Sequence, residues 1–325
     1  MLKNLLRVLI SLAFLGLLFY LMRNDMPHIL QALKNVQKPL FLSLILIFLV
    51  TVVILAKRLQ LIFMAEDVKI TLLETCNLTF VGYFFNNFLP TSVGGDIVKA
   101  MCAARVTKEP VKSVTSVLMD RIFGLFTFIL IPSLSFLFMA NEIKSKVVPV
   151  IIYSFLVFSL LCFFLLFNRS LARRFSFVET LLNRVGLGQK VRKIYDGLHN
   201  FKNHKAVVAQ AMLLSLIGQS ISIFVLYGMA VALGANPSLL YFYLLVPVVN
   251  LISMLPSLNG LGIREGAYIF FLKSNIGTQN AAAIGILWLA LLFLLSIIGG
   301  LIYLVRHDYH VRFKDILSKA EGAAV

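Results

Sequence analysis

The stretch "NNFLPTSVGGDIVKA", residues 86–100, interrupts a long apolar segment with two Asn, a Pro, a Gly pair, an Asp and a Lys. Pro and Gly disturb helical hydrogen bonding, and lipid offers no partners to the backbone groups that are released. Such a break persists in a membrane only where protein or a wet cavity covers it. The stretch therefore predicts a broken helix that lies within the membrane and is shielded from lipid.

The rest of the chain is strongly apolar. Of its 325 residues 60% are hydrophobic and 14% charged, and the mean hydropathy is +0.92, which is outside the range of soluble domains. A hydrocarbon core of about 30 Å needs about 20 apolar residues per helix. We therefore expect an all-α polytopic membrane protein that forms a single transmembrane domain over residues 1–325. The apolar segments lie near 5–22, 40–56, 114–139, 147–167, 206–233 and 281–305.

A second stretch, "PSLNGLGIREG" at 256–266, interrupts another apolar segment in the same way. In both stretches a Gly follows the Pro by four residues, and opposite charges come soon after it. With the N-terminus inside, the inner face holds most of the 30 basic residues if each stretch enters and leaves on one side. The sequence predicts about six full transmembrane helices plus two re-entrant broken-helix hairpins, in inverted halves at about 40–140 and 206–305.

The connection at 168–205 combines many basic residues with apolar residues at helical spacing. This pattern is typical of an amphipathic cytoplasmic segment on an anionic leaflet. We expect a multi-pass protein of the plasma (inner) membrane with both termini in the cytoplasm. Because the basic residues gather between the apolar segments, the net charge of +16 indicates a membrane surface as partner and no nucleic acid.

The two interruptions carry the candidate site. A helix N-terminus has a partial positive charge and unpaired N–H groups, which suit an anion such as a phosphate, and glycines let that backbone come close to a ligand. The predicted substrate-binding residues are Asn86, Asn87, Pro90, Gly94, Gly95, Asp96, Lys99, Asp120, Arg121, Pro256, Asn259, Gly260, Gly262, Arg264 and Glu265.

Asp120 and Arg121 lie at least one turn inside an apolar segment. A charge there costs about 3 kcal/mol and usually has a partner. Adjacent helical residues point in different directions, so each should have its own partner. We expect Asp120 to face a base such as Lys99, and Arg121 to face an acid of a broken helix or a lipid phosphate. The structural alternative is a buried ion network that only fixes helix register, with Pro and Gly serving kinks and close packing.

Other kinds of site find little support in the sequence. Cys76, Cys102 and Cys162 lie in or beside apolar segments without a CxxC pair, and the five His residues have no suitable companions. A nucleotide-binding P-loop is also missing. We therefore expect no disulfide, no metal, no cofactor and no catalytic residues.

The two interruptions and the "DR" pair between them resemble the lysylphosphatidylglycerol synthase transmembrane-region family, also described as flippase-like. The likeness runs from the second apolar segment to the last. In that family the membrane region resembles the flippase half of the multiple peptide resistance factor, which moves aminoacylated phosphatidylglycerol between leaflets. Archaeal relatives are associated with lipid-linked glycan assembly. The resemblance also implies re-entrant broken helices.

One feature of the full-length synthases is not expected here. They carry a large soluble aminoacyl transferase domain, whereas the segment after the last apolar run is too short for such a domain. We therefore expect no synthetic activity, and lysyl-phosphatidylglycerol is not assumed as the substrate.

These observations favour a flippase or scramblase-like transporter for an anionic phospholipid, an aminoacyl-phospholipid or a lipid-linked glycan. Two alternatives stay open: a membrane-embedded enzyme that acts on a lipid-linked sugar or phosphate, and an accessory scaffold in cell-envelope assembly. We expect that the chain is not an enzyme. A homodimer and an envelope-assembly enzyme are the protein partners that we consider.

Overall fold

The computed structural model describes residues 26–89, 94–139, 147–167, 188–254 and 260–309. Its regular elements in these ranges are all helical, which confirms the all-α polytopic fold. The helices are α1 Met26–Lys34, α2 Lys38–Ala65, α3 Leu72–Phe88, α4 Gly94–Thr107, α5 Pro110–Met139, α6 Val147–Phe167, α7 Gly188–Asn200, α8 Lys205–Ala232, α9 Leu239–Ile252, α10 Ile263–Ile276 and α11 Thr278–Val305. Pro90, Pro256, Asn259 and the apolar segment 5–22 lie outside the described residues.

Helix lengths follow one pattern twice. Helices α2 to α5 have 28, 17, 14 and 30 residues, and helices α8 to α11 have 28, 14, 14 and 28. The four long helices are apolar and long enough to cross a membrane. At 1.5 Å per residue the 14-residue helices are only about 21 Å long, which is less than the hydrocarbon thickness of about 30 Å. A 14-residue helix is therefore too short to cross the hydrocarbon layer by itself.

Each pair of short helices forms an antiparallel hairpin. In hairpin 1, made of α3 and α4, the backbone N–H of Gly95 donates to Asn86 Oδ1 at 2.9 Å, and Gly82 packs on Lys99. In hairpin 2, made of α9 and α10, the Tyr241 hydroxyl donates to the carbonyl of Phe271 at 2.9 Å. Both interrupted segments therefore turn back on themselves, as the sequence predicts.

Helix α11 shows how far the two hairpins reach. Through Glu74, hairpin 1 contacts Arg306, the residue directly after this helix. Through Asn87 it contacts the middle of the helix, because the Asn87 side-chain amide donates to the Leu292 carbonyl at 3.2 Å. Hairpin 2 leads into the start of α11, and Glu265 near its tip packs on Gly285. The hairpins thus approach the middle of α11 from opposite ends. Their entry into lipid and the inverted halves at 40–140 and 206–305 stay predictions.

Helices α2 and α8 are also antiparallel. The Gln37 N–H donates to the Ala232 carbonyl at 3.0 Å at one end, and Arg58 Nη1 donates to Ser215 Oγ at 2.9 Å towards the other. We call the end of the bundle where α2 and α11 finish and α8 begins the basic end. Several lysines lie at this end, either in the connections between helices or in the first turns of helices: Lys69, Lys108, Lys112, Lys202 and Lys205.

The largest group of buried side chains lies between α2, α8, α9, α10 and α11. Phe48 and Trp288 meet edge to face with ring centroids 5.1 Å apart, and Tyr268 and Phe242 are fully buried in the same cluster. Because this cluster joins helices from both ends of the sequence, hairpin 2 is anchored to the long helices by packing.

One predicted boundary is wrong. The apolar segment was expected to end at Ala56, but α2 continues to Ala65. The expected boundary coincides with the charged pair Lys57 and Arg58, whereas Arg58 is buried and paired inside the bundle, so the helix continues past it. Arg58 and Lys99 are both buried, so neither is a base of the protein surface.

The basic segment 168–205 is described only from residue 188. There, α7 and the following turn bury Leu198 and Phe201 against Met119 and Phe123 of α5, and Gly197 lies against Thr115. In this part the apolar residues pack on protein, and the amphipathic segment on an anionic leaflet stays a prediction. Residues 168–187 lie outside the described residues.

Substitution of Gly299 tests the close contact between α3 and α11. A Cβ at this position would clash with the carbonyl oxygen of Phe80. We expect Gly299→Ala to lower the free energy of unfolding by about 1–3 kcal/mol, since an overpacked contact forces the backbones apart. Ala290→Val on the exposed side of the same helix is the matched control. Equal stability of the two variants in detergent unfolding would contradict the packing described.

Candidate functional site

Five charged side chains from three helices form a continuous network. Arg58 of α2 contacts Asp120 of α5 at 2.7 Å (Nε to Oδ1), and Lys99 of α4 contacts the other oxygen of Asp120 at 3.3 Å. Lys99 also contacts Asp96 Oδ1 at 3.1 Å, and Arg121 Nη1 lies 3.3 Å from Asp96 Oδ2. We call these five residues the ion network. Each of its four carboxylate oxygens faces a base.

The ion network is buried at one end and accessible at the other. Arg58, Lys99 and Asp120 are 5–7% exposed, whereas the side chain of Arg121 is 28% exposed. Buried charges are costly unless each has a partner with good geometry. The alternation of base and acid supplies those partners, and it leaves Arg121 as the member that a ligand can reach.

Local sequence explains how α4 contributes two members. Asp96 and Lys99 are three residues apart, so they lie on the same face of the helix. Asp96 is in the first turn of α4, where the helix dipole stabilises a negative charge. Gly95 permits the close contact with α3, because a Cβ there would lie 2.6 Å from the Asn86 side chain. Gly95 therefore allows α4, which carries both charged residues, to pack closely on α3.

The prediction that Asp120 and Arg121 have separate partners is confirmed. The two neighbours point in different directions: Asp120 contacts Lys99 and Arg58, and Arg121 contacts Asp96, an acid of a broken helix. The role of these residues in substrate binding stays a prediction.

The tip of hairpin 2 carries a smaller charged pair. Arg264 donates to Glu265 Oε1 from Nε at 3.3 Å and from Nη2 at 3.1 Å, and both residues are buried. The Gly262 N–H donates to Glu265 Oε2 at 2.7 Å, and the positive φ of 82° at Gly262 requires glycine. Glu265 packs on Gly285, which lies about 10 Å along α11 from the Leu292 contact of hairpin 1.

Two of the four glycines predicted to present N–H groups to a phosphate use those groups internally. Gly95 donates to Asn86 and Gly262 donates to Glu265. A ligand would have to displace these bonds in order to use the same donors. The backbone of Gly260, with φ 74°, adopts the left-handed conformation at the turn. Gly94 is buried at the start of α4.

Sequence reasoning missed Arg58 and Ser215. Arg58 lies beside Lys57 at the end of an apolar run, which resembles a loop boundary, but it joins three helices because its Nη1 also donates to Ser215 of α8 at 2.9 Å. The signal that was available is the apolar sequence "LQLIFMA" at 59–65, which continues the helical segment past the charged pair.

The chain matches the family described as "Lysylphosphatidylglycerol synthase TM region" over residues 4–300. It belongs to this family. A relative named "UPF0104 membrane protein" from Methanothermobacter thermautotrophicus is 28% identical over 280 residues, which cover 78% of this chain and 80% of the relative. No solved structure matches the chain. Both hairpins and the ion network lie within the residues that match the lysylphosphatidylglycerol synthase transmembrane family, so the chain is a membrane protein of a lipid-related family.

Replacement of Asp120 tests the ion network. We expect Asp120→Asn to lower the free energy of unfolding by about 3–5 kcal/mol, because Arg58 and Lys99 stay buried with one negative charge fewer. Asp308→Asn, at a side chain that is 75% exposed, is the control and should change stability by less than about 0.5 kcal/mol. Equal effects of the two substitutions in a denaturation series in mixed micelles would contradict the network.

Proposed function

We propose that this protein moves a lipid with an anionic headgroup between leaflets and that the ion network receives the headgroup. The observation that supports the proposal most is the charge of the network, which contains three bases and two acids. A buried site with an excess positive charge is stabilised by an anion. A lipid phosphate has the required charge, and a lipid-related family makes a lipid the expected source.

Arg121 is the proposed first contact. Its guanidinium is the accessible member of the network and lies beside Asp96. Guanidinium groups bind phosphates through two parallel hydrogen bonds, which are stronger than bonds between neutral groups. A phosphate that binds Arg121 competes with Asp96, and Asp96 retains Lys99 as its partner. The exchange therefore leaves every charge in the network paired.

The architecture suits transfer of a headgroup past the middle of a membrane. Hairpins 1 and 2 approach the centre of α11 from opposite ends and place charged residues near their tips. Broken helices of this kind are tolerated in membranes where they line a cavity, and in transporters they hold substrates near the midplane. In the proposed mechanism the headgroup passes between the tips while the acyl chains stay in lipid.

Transport fits the site better than acid–base chemistry does. A catalytic carboxyl group must be within hydrogen-bond reach of the proton that it transfers. In the ion network each carboxylate oxygen faces a base of the protein, and in hairpin 2 both oxygens of Glu265 accept hydrogen bonds from Gly262 and Arg264. We therefore propose a transporter without a catalytic step of its own. A homodimer and an envelope-assembly enzyme stay predictions as partners.

Vesicle transport tests the function. The purified protein is reconstituted into liposomes that contain fluorescent anionic or zwitterionic phospholipids, with and without a proton gradient, and loss of label from the outer leaflet is followed. We expect faster loss of the anionic lipid than in protein-free vesicles. Arg121→Gln should slow this loss about ten- to hundredfold, because a hydrogen bond to a charged group contributes about 1.5–3 kcal/mol.

The control for charge alone is Lys202→Gln, which removes a base from the exposed surface of the basic end. This variant should transport as the unchanged protein does. Equal rates in protein-containing and protein-free vesicles for all the lipids would contradict the proposed function. Equal slowing by Arg121→Gln and Lys202→Gln would show that net charge, and not the ion network, determines the rate.

A further inference from the structure

The residues that follow α11 fold back onto hairpin 1. Arg306 Nη2 donates to both carboxylate oxygens of Glu74, at 3.1 and 2.8 Å, and the Tyr309 hydroxyl donates to the same carboxylate. The Arg306 guanidinium also lies 5.1 Å from the centre of the Tyr309 ring, within the range of a cation–π contact. We call Glu74, Cys102, Arg306 and Tyr309 the clasp.

A single 3-10 turn places Tyr309 inside the protein. The helix ends at Val305, residues His307–Tyr309 form the turn, and the Tyr309 N–H donates to the Arg306 carbonyl at 3.0 Å. Tyr309 has no solvent exposure and packs with Leu78 of hairpin 1. Burial raises the pKa of the Tyr309 hydroxyl, and its hydrogen bond to Glu74 acts in the same direction, so the hydroxyl remains a donor near neutral pH.

The clasp holds both helices of hairpin 1 at their open end. Glu74 is in the first turn of α3, where the Thr71 hydroxyl caps the helix by accepting from the Glu74 N–H. Cys102 is in the second half of α4, and its thiol donates to the Tyr309 carbonyl at 3.5 Å. One short turn after α11 therefore contacts the beginning of α3 and the latter part of α4.

Hairpin 1 needs such a link more than hairpin 2 does. The last helix of hairpin 2 continues into α11 through Gly277, so the chain itself fixes their relative position. Hairpin 1 is distant from α11 in sequence, and only non-covalent contacts join them. The clasp supplies charged contacts at the basic end, and Gly299 and Asn87 supply packing and a hydrogen bond further along α11.

The clasp is close to the ion network along α4. Lys99 and Cys102 are one turn apart, about 4.5 Å along the helix. A shift of α4 at Cys102 therefore also moves Lys99 relative to Asp120 on α5. The side chain of Arg306 is 35% exposed, and an ion pair that water reaches is weaker than a buried one. The clasp is thus a weaker link than the Arg58–Asp120 pair.

We propose that the clasp is a releasable latch: when closed, it holds hairpin 1 in the position that completes the ion network, and when released, it lets the basic end of α4 separate from the turn His307–Tyr309 that follows α11. This inference does not rest on the proposed function, because a protein that transports no lipid would still show the same opening.

Cys102 reports the state of the latch. It is fully buried beneath Tyr309, so its thiol should react slowly with N-ethylmaleimide in a chain that carries Cys76→Ala and Cys162→Ala. In that background we expect Tyr309→Phe and Glu74→Gln each to raise the labelling rate about tenfold, as loss of a hydrogen bond to a charged group predicts. Labelling is measured on purified protein in detergent and in vesicles.

Tyr241→Phe is the matched control. It also removes one tyrosine hydroxyl donor, which is partly buried, but the partner of this donor is the Phe271 carbonyl of hairpin 2. The Cys102 rate should stay unchanged in this variant. The proposal is overturned if Cys102 already reacts rapidly with an intact clasp, if the two clasp variants leave its rate unchanged, or if Tyr241→Phe raises it equally.

A second thiol distinguishes local release from unfolding. Ala283 is fully buried on α11, away from the clasp. Ala283→Cys is introduced into a chain whose three native cysteines are replaced by Ala, and its labelling is compared with and without Tyr309→Phe. We expect slow labelling in both. If Tyr309→Phe raised the labelling rate at position 283 as well as at Cys102, Tyr309 would be needed for the whole fold, and the latch proposal would be overturned.

Discussion

The pairing of Asp120 with two buried bases is the interaction on which the arrangement of hairpin 1 depends. Arg58, Lys99 and Asp120 come from three helices, and each would be costly in a membrane without the others. This requirement fixes α2, α4 and α5 relative to one another, and the bond from Arg58 to Ser215 extends the constraint to α8. The ion pairs thus fix the relative positions of these helices more specifically than apolar packing alone would.

The same charges make the two hairpins electrostatically different. Most of the ion network is buried between the helices, but Arg121 remains accessible to a ligand. The network also contains three bases and only two acids. Hairpin 2 differs, because Arg264 and Glu265 neutralise each other within one helix. If an anionic headgroup binds, it should therefore bind the ion network at Arg121 first and meet hairpin 2 as it moves along α11.

The sequence predicted the features that depend on local patterns. The Pro and Gly residues of 86–100 and 256–266 indicated two chain reversals, and the adjacency of Asp120 and Arg121 indicated separate partners. Long-range contacts could not be predicted: Arg58 lies 62 residues from Asp120, and Glu74 lies 235 residues from Tyr309. The glycine pattern also could not show that the N–H groups of Gly95 and Gly262 donate hydrogen bonds to the side chains of Asn86 and Glu265.

The most direct test of headgroup binding by the ion network is native mass spectrometry of the purified protein with an equimolar mixture of a singly anionic and a zwitterionic phospholipid. We expect preferential retention of the anionic lipid by the unchanged protein and by Lys202→Gln, and loss of that preference in Arg121→Gln. Equal retention of both lipids by the unchanged protein, or an unchanged preference in Arg121→Gln, would contradict a headgroup site at Arg121.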